Sequence, residues 1–203
     1  MSAALDCIVD LGYRGATMDE VVARAGLSRG AQMHHFPTKL SLVDAAFSYM
    51  LDDLIDDVRR HTDLIRERRE RPEELFTHLW KSYFAGRVFS VTMEIVVAAR
   101  SDSELRTLAA ETSERFHRAL DDCWYILCRD SELAGNKLVL LLNLTVTLLR
   151  GMGFQKVLWD RPDYFSELLQ EWLAITSKFF ELHPDQVPES PPSSAARHNR
   201  KPL

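Results

Sequence analysis

An all-α fold is predicted by three features of this chain. Glycine and proline number only eight each in 203 residues, and five of the prolines fall after residue 183. The preceding stretch is therefore nearly free of helix breakers. Its apolar side chains recur at three- and four-residue intervals, the helical period, and the regular turn signals of a sandwich or barrel are missing. Apolar residues make up 46% and charged residues 27%, the balance of a globular protein.

The elements follow in order. Leu5, Ile8, Val9 and Leu11 mark a first helix, with Gly12 as its stop. Thr17 to Glu20 reads as a capping box, in which the Thr17 hydroxyl caps and Glu20 reaches back. Met18, Val21, Val22 and Ala25 then give the apolar face of a short helix stopped by Gly26. Leu27 is expected to plug the corner, and Ser28 to cap a second short helix from Arg29 to His35, ended by Phe36 and Pro37. Two helices of two turns around a glycine turn have helix-turn-helix dimensions. Thr38 and Lys39 open a long helix to about residue 68, broken by Pro72.

The next stripe is Leu75, Phe76, Leu79, Trp80, Tyr83 and Phe84, followed by a short apolar helix over residues 89–99. A long helix runs from Leu105 through Phe116 and Trp124 to Leu127. Residues 138–149 are apolar almost all round and demand cover on more than one side. Phe165, Leu168, Leu169, Trp172, Thr176, Phe179 and Phe180 form the last stripe. The expected organisation is a three-helix helix-turn-helix domain at 1–47, a ligand-binding and dimerisation helical domain at 48–182, and a Pro/Ser-rich disordered tail at 183–203.

Composition narrows the function. The net charge of −5 excludes coating of nucleic acid by bulk basicity, so DNA contact has to be made by a local surface. Three cysteines, Cys7, Cys123 and Cys128, do not make a disulfide scaffold. Residues 1–9 show no signal-peptide pattern, and the greasiest run is shorter than the roughly 20 residues a bilayer needs. A cytoplasmic protein is expected.

Residues 17–39 carry the physical case for DNA. Gly30 and Ala31 let a two-turn helix press close to base edges. Arg29 can then pair bidentately with guanine, Gln32 with adenine, and His34 can donate to a base acceptor. Thr17, Thr38 and Lys39 sit at helix N-termini, where free amides attract phosphate. Packing alone does not explain Gly30 and Ala31 set among Arg29, Gln32 and His34.

The run Gly15-Ala-Thr17-Met-Asp-Glu-Val-Val-Ala-Arg-Ala-Gly26-Leu-Ser-Arg-Gly-Ala-Gln-Met-His-His-Phe36-Pro-Thr-Lys39 resembles the DNA-binding domain of the tetracycline-repressor (TetR) family, over roughly residues 4–47. The resemblance implies a homodimeric regulator, expected to be a repressor, with a small-molecule pocket in its C-terminal domain. It puts base reading on Arg29, Gly30, Ala31 and His34, and phosphate contact on Thr17, Thr38 and Lys39. Ser28, Gln32, Met33 and His35 complete the expected DNA-binding set. Met33 stands where the family usually has tyrosine, Asp19 where some members have a basic residue, and the first helix is about ten residues shorter than usual.

Other motifs yield less. Gly26 to Gly30 matches the G-x-S-x-G of serine hydrolases, but a capped helix rather than a strand precedes Ser28. His34 and His35 point about 100° apart on a helix and do not easily share an ion. Asp53, Asp57 and His61 share a helical face, read most simply as a solvated acidic surface, so no metal or cofactor is expected. Gly151-Met-Gly153 lacks the context of a dinucleotide loop and reads as a place where a neighbour approaches.

For the effector, Trp80, Phe84, Phe89, Met93, Phe116, Trp124 and Phe154 are the candidate lining of an apolar cavity. Glu94 and Arg150 interrupt apolar stretches and are expected to pair with each other or to orient a ligand. The partners expected are an operator duplex, a small apolar or aromatic effector and a second copy of the chain. The competing reading is a helical ligand-binding or adaptor protein without operator binding.

Overall fold

The computed structural model describes residues 1–27, 35–128 and 135–176, with the side chains of 128 and 135–138 excepted. Among these residues there are eight α-helices and no strand. Residues 28–34, which hold Ser28, Arg29, Gly30, Ala31, Gln32, Met33 and His34, lie outside the described residues, as does the expected tail.

Helix α1 (Ser2–Gly15) buries Ala4, Leu5, Cys7 and Ile8. It breaks at Gly12, whose φ of 72° and ψ of 166° suit only glycine, and then makes one further turn rather than ending there. Helix α2 (Met18–Ala25) is capped by Thr17, whose hydroxyl accepts the Glu20 amide at 3.3 Å, and ends on Gly26 in the left-handed region at φ 65°. The reciprocal capping box lies one helix further on. It joins Thr38 and Ser41 at the start of α3 (Lys39–Arg66), with the Thr38 hydroxyl 3.0 Å from the Ser41 amide. Leu27 stands 57% exposed and does not plug the corner.

Helix α3 runs unbroken through residue 47, and one apolar core extends from α1 to the last helix. Its buried residues, from Leu42 to Ile65, keep the helical period for seven turns, which is why one helix can serve both halves. Helix α4 (Pro72–Leu79) leads into a π-turn over Trp80–Phe84, closed by the Ala85 amide on the Trp80 carbonyl at 2.8 Å. The wider turn puts Trp80, Tyr83 and Phe84 all inward.

Helix α5 (Arg87–Ala99) lies on α1, α6 (Ser103–Cys128) packs along α3, and α7 (Gly135–Leu158) and α8 (Pro162–Thr176) close the bundle. Gly153 is where α7 meets the π-turn: a Cβ there would fall 2.7 Å from the Phe84 carbonyl and 2.9 Å from the Phe89 ring. Close approach is what the Gly151-Met-Gly153 pattern suggested.

Residues 139–149 are covered on one side. Leu142, Thr145, Val146 and Leu149 are buried, whereas Leu140, Leu144, Phe154 and Leu158 lie exposed along the opposite face of α7. Among the described residues no single helix is long and apolar enough to cross a membrane.

Candidate functional site

The frame around the expected DNA-reading segment is built by α1, α2 and the start of α3. Asp10 and Arg24 join α1 to α2 at 2.6 Å. Thr17 and Thr38 are both exposed helix caps, placed at the two N-termini where phosphate was expected. Lys39 is turned onto α1. Its ammonium donates to the Tyr13 carbonyl and, at 3.2 Å, to the Arg14 carbonyl, and it lies 4.4 Å from the Tyr13 ring centroid. Burial pushes its pKa below the usual lysine value. Free carbonyls at the end of α1 attract a cation, so the sequence position that suggested phosphate contact also supplies a brace between α1 and α3. His35, part of the expected DNA-binding set, is exposed, with its ring 6.4 Å from that of Phe36.

The second half of the chain grips this frame through α5. Arg87 pairs with Asp6 at 2.6 Å and donates to the Ser2 carbonyl at 2.9 Å. Glu94 accepts the Tyr13 amide at 3.2 Å. The break at Gly12 releases that amide from helical bonding, and Glu94 acts as its cap from another helix. Glu94 therefore does not pair with Arg150, whose guanidinium instead donates to His117 Nε2 at 3.0 Å. The separation has a simple origin: α5 turns Glu94 towards α1, while α7 turns Arg150 towards α6.

The expected effector residues fall in two groups. Trp80, Phe84, Phe89, Phe116 and Trp124 are buried, and Met93 packs against the core half-buried. Their rings meet as Phe84 with Phe89 at 5.9 Å and Trp80 with Phe165 at 5.4 Å. Phe154 is 54% exposed, on the uncovered stripe of α7. Three contributors were not anticipated. Tyr83 stacks on Phe116 at 6.1 Å, and burial raises its phenol pKa. His117 holds Arg150, and Tyr13 connects Glu94 to Lys39. Tyr83 was legible as part of its stripe, but the other two sit at positions where only the fold supplies a partner. The Trp124 indole N–H is buried without an acceptor among the described residues.

The capped helix α2, held on α1 and braced against a helical bundle with an aromatic core, fits the frame of a helix-turn-helix transcriptional regulator. Residues 1–46 match the family profile of bacterial regulatory proteins, tetR family. That match makes residues 1–46 a DNA-binding domain of the TetR family, a family of transcriptional regulators rather than enzymes, so the G-x-S-x-G match at Ser28 is no hydrolase motif. The chain is 29% identical over 161 residues to the HTH-type transcriptional regulator CymR of Pseudomonas putida, a match covering 79% of this chain and 78% of that one. Its fold is that of a TetR-family regulator from Mesorhizobium loti, at a TM-score of 0.68 and 21% identity, covering 86% of this chain and 93% of the other. The regulator FadR of Bacillus subtilis, solved in complex with stearoyl-CoA, is similar at a TM-score of 0.58 and 15% identity, covering 89% and 93%.

Proposed function

We propose that this regulator is a repressor that binds a palindromic operator as a homodimer and leaves it when a small apolar or aromatic effector enters the bundle. Residues 1–47 do the DNA binding, with Arg29, Gln32 and His34 reading base edges over the close approach that Gly30 and Ala31 allow. Thr17 and Thr38 hold the phosphate backbone, with the Lys39 charge beside them, and Ser28, Met33 and His35 complete the contact surface. Residues 48–182 sense the effector and dimerise.

The observation that carries this reading is the placement of α5. Phe89 and Met93 face the aromatic core, and the next residue, Glu94, holds the Tyr13 amide of the DNA-binding half. An effector that displaces Phe89 or Met93 shifts Glu94 and with it α1, so it favours a dimer whose reading segments no longer match the operator. The unsatisfied Trp124 N–H supports an effector carrying at least one acceptor. The stearoyl-CoA of the FadR neighbour is consistent with an apolar effector in a bundle of this kind.

Dimerisation is supported by the exposed stripe of α7. Leu140, Leu144, Gly151, Phe154 and Leu158 follow the helical period, and Tyr164 and Ile175 extend the apolar surface on α8. Two copies packed as a four-helix bundle cover these side chains. Their reading segments then meet successive major grooves about 34 Å apart.

The test is a mobility-shift titration with DNA from upstream of the gene, repeated with a panel of aromatic and fatty acids. A dimer on an inverted repeat, released by one of them, supports the reading. A monomer by light scattering at micromolar concentration, or binding without sequence preference, overturns it.

A further inference from the structure

Away from the effector core, α3 and α4 bring together a constellation that the regulator's reading does not use. Asp57 and His61 lie one turn apart on α3, His78 comes from the last turn of α4, and Glu70 from the turn between them. One donor atom from each of Asp57, His61 and His78 lies within 4.8 Å of the others. The two imidazoles are 4.3 Å apart between centroids and 34° from parallel. The sequence pattern suggested Asp53, Asp57 and His61 as a solvated face. Asp53 does stay on the surface, but the fold replaces it with His78 and half-buries the group.

The surrounding contacts are those of a held ligand set. His61 Nδ1 donates to Glu70 at 2.6 and 2.7 Å, so in the neutral ring Nε2 carries the lone pair. That is the carboxylate–histidine arrangement that orients metal-binding imidazoles. Both members are well shielded, with His61 14% and Glu70 9% exposed. His78 Nε2 meets Asp57 Oδ2, while Arg60 donates to Asp57 Oδ1, so that Asp57 offers a single oxygen to the site. Next to Asp57 and His78 opens a cleft of about 430 Å³, also lined by Ser82 and Tyr83, that gives access from solvent.

We infer that Asp57, His61 and His78 form a binding site for a divalent transition-metal ion, with Glu70 as the outer partner of His61. Two imidazoles and one carboxylate are borderline donors that favour ions of the zinc and nickel class over calcium or magnesium. Donors on a four-coordinate ion with bond lengths near 2.1 Å lie about 3.4 Å apart, so side-chain rotations close the set. The ion takes the place of the proton between His78 Nε2 and Asp57, His78 then standing as the neutral imidazole with its proton on Nδ1, and a water from the cleft completes the coordination. The ion would pin α4 to the C-terminal third of α3, the helix that begins at the DNA-binding half.

Zinc titration of the full-length protein by calorimetry, with a chromophoric chelator as competitor, tests this directly. One ion per chain is expected. H78A and D57N should each lose binding by about 100-fold or more, and E70Q by about 10–100-fold. Asp57→Asn keeps the side-chain volume, so its melting without zinc reports whether the fold survives. Zinc should raise the melting temperature of the natural protein and not that of D57N. One-ion binding that persists in D57N and H78A, or no binding at about 100 μM zinc, overturns the assignment.

Discussion

Replacing Glu94 tests the joint between the two halves of the molecule. Its carboxylate accepts the Tyr13 amide at 3.2 Å, on a half-buried path where the Gly12 break has removed the helical partner. A hydrogen bond to a charged group contributes about 1.5–3 kcal/mol, and partial exposure places this one at the low end. Glu94→Ala leaves the amide unpaired and should cost about 1–2 kcal/mol, whereas Glu94→Gln keeps an acceptor oxygen and should cost under about 1 kcal/mol. For a chain of this length, each kcal/mol lowers the melting temperature by about 2–4 °C. The assay is thermal unfolding at one fixed protein concentration, because dimerisation makes the midpoint concentration-dependent. Operator affinity measured in parallel should fall further in the alanine variant. Equal stability of E94A and the natural protein would refute the reasoning, as would E94Q falling as far as E94A.

Other perturbations separate neighbouring roles. Gly153→Ala forces a Cβ to within 2.7 Å of the Phe84 carbonyl and should cost about 1–3 kcal/mol in urea unfolding. Leu144→Glu, on the exposed stripe of α7, should give a monomer by light scattering with its helical circular dichroism intact. Lys39→Ala should weaken binding to all DNA sequences alike and loosen α1, seen as faster amide exchange at its end. Burial raises the thiol pKa of Cys7 and Cys123 above the usual cysteine value, so the folded state holds protons that the unfolded chain releases. Stability should therefore fall as pH climbs past about 9, and in a Cys128→Ser background both thiols should resist alkylation until the protein unfolds.

Much of the architecture was legible in the primary structure because helices write their period into it. The stripe from Leu75 to Phe84 is buried throughout, and the caps at Thr17 and Thr38 stand where the short polar residues placed them. Legibility faded wherever a contact joined residues distant along the chain. Glu94 and Arg150 each interrupt an apolar run, which flagged both, but no local signal said that one reaches Tyr13 and the other His117. Phe154 carries the same apolar signature as the core aromatics, and only the packing of α7 tells inside from outside. The π-turn at Trp80 has no pattern of its own, since one extra residue per turn still leaves aromatics on the inner face. His78 lay 17 positions beyond His61 and outside any helical spacing, so its meeting with Asp57 waited for the fold.

In the proposed function Arg29, Gln32 and His34 read base edges as a pair of symmetry-related segments. Selecting bound duplexes from a random pool with the intact protein measures it most directly. The account predicts an inverted repeat whose half-sites are about one helical turn apart, with Arg29→Ala costing about 1–3 kcal/mol on the selected duplex and little on unrelated DNA. A pool that stays random, or an R29A variant that selects the same repeat with undiminished affinity, would contradict it.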